Sequence, residues 1–322
     1  MAVECLPGDD AAIEKAGAAL REGRLVAFPT ETVYGLGADA TNERAVASIF
    51  EAKGRPTFNP LIVHVASIDA AKALVRFTPE AEKLAQAFWP GGITLVLPRL
   101  GNSPLSLLVS AGLDTVAIRV PAHPLAQKLL KAAGCPIAAP SANASGEISP
   151  TRAAHVMQSL GHADALSLVL DGGACPLGLE STVIGFPANG RPTLLRPGAV
   201  AREAIEKVLG AKLDEADVAS GEEGRSSPGQ LASHYAPNAK LRLNVEKPAA
   251  NELWLGFGPD QPEAALNLSP TGDLGEAAAN LFAMLRELDA QAEGRGLAVA
   301  PVPREGLGEA INDRLTRAAA PK

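Results

Sequence analysis

Short apolar runs alternate along the chain with segments whose apolar positions return every three or four residues. The runs Leu25 to Phe28, Leu61 to Val65, Ile93 to Leu97, Thr115 to Val120 and Leu166 to Leu170 predict strands. Helical spacing predicts helices over Asp9 to Arg21, near Ala70, and over Pro79 to Phe88, Leu125 to Ala133 and Arg152 to Leu160. Thr41 is the expected cap of a further helix, with Glu43 in its first turn, Val46, Ile49 and Phe50 on one face and Gly54 as its stop. Such alternation indicates α/β architecture. The strands Ser181 to Phe186 and Thr193 to Arg196 flank the hairpin signal Asn189-Gly190, which predicts a partly antiparallel sheet, and a helix to about Leu209 closes this part.

From Asp214 to Ser227 the sequence turns to Glu, Gly and Ser without apolar period, the mark of a linker. Beyond Pro237, strands at Glu252 to Phe257 and Leu297 to Ala300 flank a helix over Leu274 to Leu288, and a last helix covers Gly308 to Ala318. The expected organisation is a first domain over 1–210, a connector over 211–240 and a small βαβ domain over 241–322.

Composition narrows the class. Of 322 residues, 47% are apolar and 20% charged, which suits a chain with a sizeable core, while 4% aromatic content leaves that core to Ala, Val, Leu and Ile. No apolar run approaches the roughly 20 residues of a membrane span, and the N-terminus reads as no export signal, so a cytoplasmic protein is expected. Cys5, Cys135 and Cys175 are too scattered for a disulfide framework or zinc cluster, and the five histidines show no metal-ligand spacing. Charge is uneven: 17 Lys and Arg stand against 18 Asp and Glu through Ile205, and 12 against 18 after it. An acidic C-terminal part is a poor nucleic-acid platform.

The candidate chemistry begins where the strand Leu25 to Phe28 stops at Pro29 and gives way to the polar loop Thr30-Glu31-Thr32-Val33-Tyr34-Gly35-Leu36-Gly37. Lys53 ends a helix, and Arg55 follows in an extended position before Pro56, so two cations form a corner beside the strand of His64. Arg119 and Arg196 end two further strands, where ligands of α/β sheets bind, and four converging cations would neutralise a triphosphate and a carboxylate. Taken alone, Lys53 and Arg55 are most often read as solvated surface charges. Ser141-Ala142-Asn143, with Ser145, Gly146 and Ser149, reads as a turn or as a phosphate cradle. His64, Ser181 and Thr182 are either strand residues with satisfied polar groups or substrate contacts. Glu31 and Glu180 are acid or base candidates, without the spacing of a carboxylate pair. No Gly-x-x-x-x-Gly-Lys-Ser/Thr, Gly-x-Gly-x-x-Gly, Gly-x-Ser-x-Gly or His-Glu-x-x-His occurs, so any nucleotide is bound by another device.

The ordered motifs Pro29-Thr30-Glu31-Thr32-Val33-Tyr34-Gly35-Leu36-Gly37, Lys53-Gly54-Arg55-Pro56 with Asn59-Pro60-Leu61 and His64, Ser141-Ala142-Asn143, Leu195-Arg196-Pro197-Gly198, Ser227-Pro228-Gly229-Gln230 and His234-Tyr235-Ala236-Pro237 resemble the YrdC-like threonylcarbamoyl-adenylate synthases, in their long two-domain form. The resemblance implies a twisted, mixed parallel and antiparallel sheet with helices, followed by a small Rossmann-like domain. It implies that ATP, L-threonine and bicarbonate yield threonylcarbamoyl-adenylate and pyrophosphate, with Mg²⁺ on the phosphates, for tRNA modification. A downstream transferase complex would receive the adenylate, with direct RNA contact an open question. Carried over by position, it places threonine against Thr32, His64, Arg119, Ala139 and Ser181. ATP falls against Lys53, Arg55, Asn59, Thr115, Ser141, Asn143, Ser149, Arg196 and Tyr235, with Lys53 and Arg55 as the catalytic pair. The segment carrying His234 and Tyr235 is expected to act as a lid. Two other classes share the first domain: a non-catalytic double-stranded RNA binder, and a carbamoyltransferase, which normally adds zinc modules absent from this chain.

Overall fold

The computed structural model describes residues 3–187, 191–216 and 234–321. Among these, eleven strands make one sheet in the order β1-β8-β2-β3-β7-β4-β6-β5-β9-β10-β11, and four make a second. The central strands of the first are β2 (Leu25–Phe28), β3 (Gly35–Asp39), β4 (Ile62–His64), β5 (Ile93–Pro98), β6 (Thr115–Arg119) and β7 (Ile137–Ala138). Outside them lie β1 (Glu4–Pro7) and β8 (Leu166–Asp171) on one side and β9 (Thr182–Gly185), β10 (Thr193–Arg196) and β11 (Asp214–Glu215) on the other. The pairing is mixed: β4 runs parallel to β6, whereas β2 with β3, β5 with β6 and β9 with β10 are antiparallel.

Three differences from the sequence reading have physical causes. The Gly35-Leu36-Gly37 stretch read as loop is strand β3, hidden because its residues are small. Gly37 is small of necessity, since a Cβ there would meet Phe28 and Ile137. The helix α2 (Glu43–Lys53) is capped by Asn42, which accepts from the amides of Arg44 and Ala45, while the Thr41 hydroxyl is turned to Asp39. The stretch read as linker from Asp214 begins with β11, paired to Thr193 and Leu194. Asn189-Gly190 and Ser227-Pro228-Gly229-Gln230 lie outside the described residues.

Alternation along the strands divides the core. One face carries Val63, Leu95, Leu97, Val116 and Ile118 into the main cluster with Val46, Ile49 and Phe50 of α2 and Leu84 of α4 (Pro79–Phe88). On the other, Val26, Phe28, Ile137 and Leu168 pack beneath α1 (Asp10–Arg21) and α5 (Pro124–Ala133). Beside them on this second face, Ile62, Val96, Ala117 and Val183 form a small cluster to which no described helix contributes. Ile62 of this cluster lines the cleft described below.

The second sheet is parallel: β13 (Glu252–Gly256) pairs β15 (Gly296–Val299), with α8 (Leu274–Gln291) between them in sequence, flanked by β12 (Leu241–Arg242) and β14 (Leu266–Asn267). The βαβ reading holds. Leu281, Phe282, Leu285 and Leu288 of α8 and Ile311 and Leu315 of α9 (Leu307–Ala318) enclose a core that also takes in Val33, Ile148 and Leu179 from the first half. The two halves therefore share apolar packing. Among the described residues no helix is long and apolar enough to cross a membrane.

The contact is tight at Gly178, whose φ is +67° and whose Cβ, if present, would collide with the backbone of Ala278 and Ala279. Gly178→Ala is expected to cost about 1–3 kcal/mol, through strain and lost docking together. Urea denaturation should show it, and an unchanged midpoint would mean that the halves do not stabilise one another here.

Candidate active site

Chain crossings at four strands build a cleft on the face of the sheet that carries Ile62. The loop after β2 brings Thr30, Thr32 and Val33; β4 brings Ile62 and His64; β6 brings Arg119; and the chain leaving β7 brings Ala139, Pro140 and Ser141. Arg55, Glu180, Ser181, Arg196, His234 and Tyr235 complete the wall, around about 580 Å³ of space that includes the solvent mouth.

Thr32, His64, Arg119, Ala139 and Ser181 all line this cleft. His64 and Arg119 are side by side, paired across β4 and β6, and the amide of Ala139 bonds the carbonyl of Ile62. Arg119 is buried, and it donates to Glu31 Oε1 at 2.6 Å, Thr32 Oγ1 at 2.9 Å and the Gly91 carbonyl at 3.0 Å. The other oxygen of Glu31 accepts from the amides of Ala122 and His123. Burial opposes its charge, but Arg119 and these amides hold its carboxyl below the usual range. Glu31 is thus committed as a counter-ion, which removes it from the acid and base candidates. Burial, reinforced by the Arg119 charge, pushes His64 down to about 3, so its ring is neutral at ordinary pH. Its Nδ1 has no partner among the described residues.

The remaining positions divide. Arg55, Ser141, Arg196 and Tyr235 line the cleft, whereas Lys53, Asn59, Thr115, Asn143 and Ser149 do not. The expectation that Lys53 projects as a cation from a rigid corner is corrected: it is buried, and its Nζ donates to the carbonyls of Ser141, at 2.6 Å, and Asn143. The Lys53 carbonyl in turn accepts from the Ser145 amide, so this lysine ties the end of α2 to the 141–145 loop. Burial and the Arg55 charge lower its pKa well below that of a free lysine. Arg55 is also buried, held by the carbonyls of Asn59 and Pro60. Arg196 donates to the Ser181 carbonyl at 2.8 Å and to its hydroxyl, which also bonds Thr94.

Asn59 and Asn143 are buried, and each has an Oδ1 without a partner among the described residues. Thr115 begins β6 and shares a sheet face with Ala117 and Arg119, about 13 Å from the latter at roughly 3.3 Å per residue. Ser149 donates to Glu180 Oε1 at 2.5 Å.

Sequence reading missed the partner of Glu180. Its second oxygen accepts from Arg314 Nε of α9 at 2.8 Å, in an ion pair 8% and 0% exposed at the side chains. Burial opposes the Glu180 charge, but Arg314, Arg196 and the Ser149 hydroxyl hold its pKa at about 2. A signal existed: Ile311, Arg314, Leu315 and Ala318 follow helical spacing, which puts an arginine on an apolar face. Tyr235 stacks on Phe282 of α8, with ring centroids 5.4 Å apart, and has a backbone φ of +62°, a strained value for a bulky residue.

The family model described as telomere recombination, Sua5/YciO/YrdC, matches residues 18–198, more than half of the chain. The chain belongs to this family. A second model, described as threonylcarbamoyl-AMP synthase, C-terminal domain, matches residues 200–320, so the family resemblance read from the motifs holds in both halves. The threonylcarbamoyl-AMP synthase of Pyrococcus abyssi is 43% identical over 318 residues, 93% of this chain and 91% of that protein. That of Bacillus subtilis is 49% identical over 239 residues, 74% of this chain and 68% of that one. The crystal structure of P. abyssi Sua5 complexed with L-threonine superposes with a TM-score of 0.87 at 40% identity, over 97% of this chain and 95% of that one. This family member therefore has the mixed α/β fold of Sua5.

Burial also shapes the acid response. His64 and His234, the latter likewise pushed down to about 3 by burial, stay neutral in the fold but take up protons when unfolded below about 6.5. Stability is therefore complete above that pH and falls as pH drops towards 3, each histidine tilting the equilibrium by up to about tenfold per pH unit. His64→Gln should flatten the loss between pH 6.5 and 3 in urea titrations; an unaltered slope would show that His64 is protonated in the folded state.

Proposed function

We propose that this chain is an L-threonylcarbamoyladenylate synthase, joining L-threonine, bicarbonate and ATP to give threonylcarbamoyl-AMP and pyrophosphate. One observation carries the reading. Arg55, Arg119 and Arg196, at 8%, 3% and 4% exposure, line one cleft beside a neutral histidine with a nitrogen unpartnered among the described residues.

Threonine lies against Thr32, His64, Arg119, Ala139 and Ser181, where the neutral His64 ring serves a hydroxyl without adding charge. ATP follows Arg55, Ser141, Arg196 and Tyr235, and the Asn59 and Asn143 oxygens, unpartnered among the described residues, also belong to its site. A nucleotide extended along the sheet face reaches Thr115, while Ser149 acts through Glu180. Lys53 enters as a residue that braces the 141–145 loop.

The threonine amine and bicarbonate give an N-carboxylate and water. An oxygen of that carboxylate attacks the α-phosphorus, and the α–β P–O bond breaks with release of pyrophosphate. The obstacle is one anion approaching another. Guanidinium groups anchored in a water-poor cleft lower it by charge and alignment, and no protein nucleophile is needed. Tyr235 walls the site against water, which would hydrolyse the adenylate. Magnesium belongs with ATP: the one carboxylate lining the cleft among the described residues, Glu180, is committed to Ser149 and Arg314, so phosphate oxygens would hold the ion. The adenylate passes to a cytoplasmic threonylcarbamoyl-transferase complex acting on tRNA. The connector with Tyr235 and the small C-terminal domain close the site.

Pyrophosphate release from ATP is expected only when L-threonine and bicarbonate are both present. Release without either, or none at all from folded protein with Mg²⁺, would overturn the assignment. Arg55→Ala should lower turnover at least about tenfold, roughly 1.4 kcal/mol of transition-state stabilisation, with the fold intact by circular dichroism. Lys53→Ala should lower it by a similar factor, and here faster hydrogen exchange at Ser145 would mark the loss of the brace.

A further inference from the structure

Arg314 is fully buried, although it belongs to the C-terminal half. Besides Glu180 it donates from Nη2 to the Pro197 carbonyl at 3.0 Å and from Nη1 to Asp313 at 2.6 Å. Its guanidinium carbon lies 5.3 Å from the centroid of the Tyr235 ring, so cation–π attraction adds to the Phe282 stack. One side chain thus touches a cleft carboxylate, the turn after Arg196 and the strained aromatic of the wall.

We propose that Arg314 is a positioning residue for the synthesis reaction, cancelling the Glu180 charge that faces the anionic substrates and seating Tyr235 over the cleft. It rests on the reading of the site as a threonylcarbamoyladenylate synthase. Glu180 lines the cleft directly, and without Arg314 its carboxylate would set a full negative charge against the phosphates. Arg196 of β10 also faces Glu180, but it is engaged by Ser181. Asp313 adds negative charge from α9 itself, while His234 and Tyr235, on the segment packed alongside, are uncharged at neutral pH. Arg314 is therefore the cation whose bond is made to Glu180 itself. The C-terminal domain in this way supplies part of the site's electrostatics without touching substrate.

The test is kcat/KM for ATP, read by pyrophosphate release from pH 6 to 8.5, for Arg314→Met, Glu180→Gln and the double variant. Arg314→Met is expected at least tenfold below wild type at pH 8, with the deficit narrowing towards pH 6 as the unpaired Glu180 takes up a proton. The double variant should recover at least threefold over Arg314→Met and lose that pH dependence. Activity of Arg314→Met within twofold of wild type would overturn the proposal. So would a deficit equal at every pH and unrelieved by Glu180→Gln, which would make Arg314 mere packing. If Arg314→Met does not fold, Arg314→Lys decides: it keeps the charge but not the fork, so a KM for ATP raised at least threefold is expected and a wild-type KM overturns. Wild-type protein that releases no pyrophosphate would instead refute the reading of the site. Arg314 would then be judged by calorimetric ATP affinity, expected tenfold weaker in Arg314→Met, an equal affinity counting against it.

Discussion

Positive charge gathered away from water must be anchored, because a guanidinium that has lost its hydration needs acceptors for its donors. Each cleft arginine meets this constraint differently. Arg119 leans on Glu31, Thr32 and the Gly91 carbonyl, Arg55 on the carbonyls of Asn59 and Pro60, and Arg196 on Ser181. The groups that hold them come from four separate stretches of chain. Their meeting point defines the cleft, and much of the fold around it can be understood as the support of those anchors.

The sheet provides rigidity where anchors alone would not. His64 and Arg119 are neighbours because β4 and β6 are parallel and in register, and Ala139 meets Ile62 because β7 runs antiparallel to β4. On the face of the sheet that carries Ile62, α1 and α5 pack against Val26, Phe28, Ile137 and Leu168, while no described helix joins the cluster of Ile62, Val96, Ala117 and Val183. Apolar wall residues such as Val33, Leu61 and Ile62 beside fixed cations suit a ligand that is part ring and part anion, such as a nucleotide. Preorganisation follows from geometry: the donors are in place before charge develops, so little reorganisation is needed during reaction.

The C-terminal half is bound to this arrangement by both apolar and charged contacts. Val33, Ile148 and Leu179 share a core with α8 and α9, Arg202 pairs with Glu309, and Glu180 pairs with Arg314. A buried ion pair contributes little net stability, since desolvation offsets attraction, but losing one partner leaves a costly naked charge. Such a contact ties the cleft's electrostatics to correct docking of the two halves. The strained backbone of Tyr235 is maintained in the same place, by Phe282 on one side and Arg314 on the other.

Periodicity by itself determined the α/β class, most strands and helices, and the small βαβ unit, because those patterns record which face each element buries. Ordered motifs determined the family, and of the positions that the resemblance singles out, Thr32, His64, Arg119, Ala139 and Ser181 line one cleft. Strand β3 was illegible because glycine and alanine carry no strand propensity, and its place is set by neighbours pressing on Gly37. Only the tertiary structure decided that Lys53 turns inward to backbone carbonyls, that Glu31 is a counter-ion, and that Glu180 finds its partner 134 residues away. Spacing along a chain records local periodicity. The partner of a buried charge depends on which distant segments the core brings within hydrogen-bond reach, and only the folded packing specifies that.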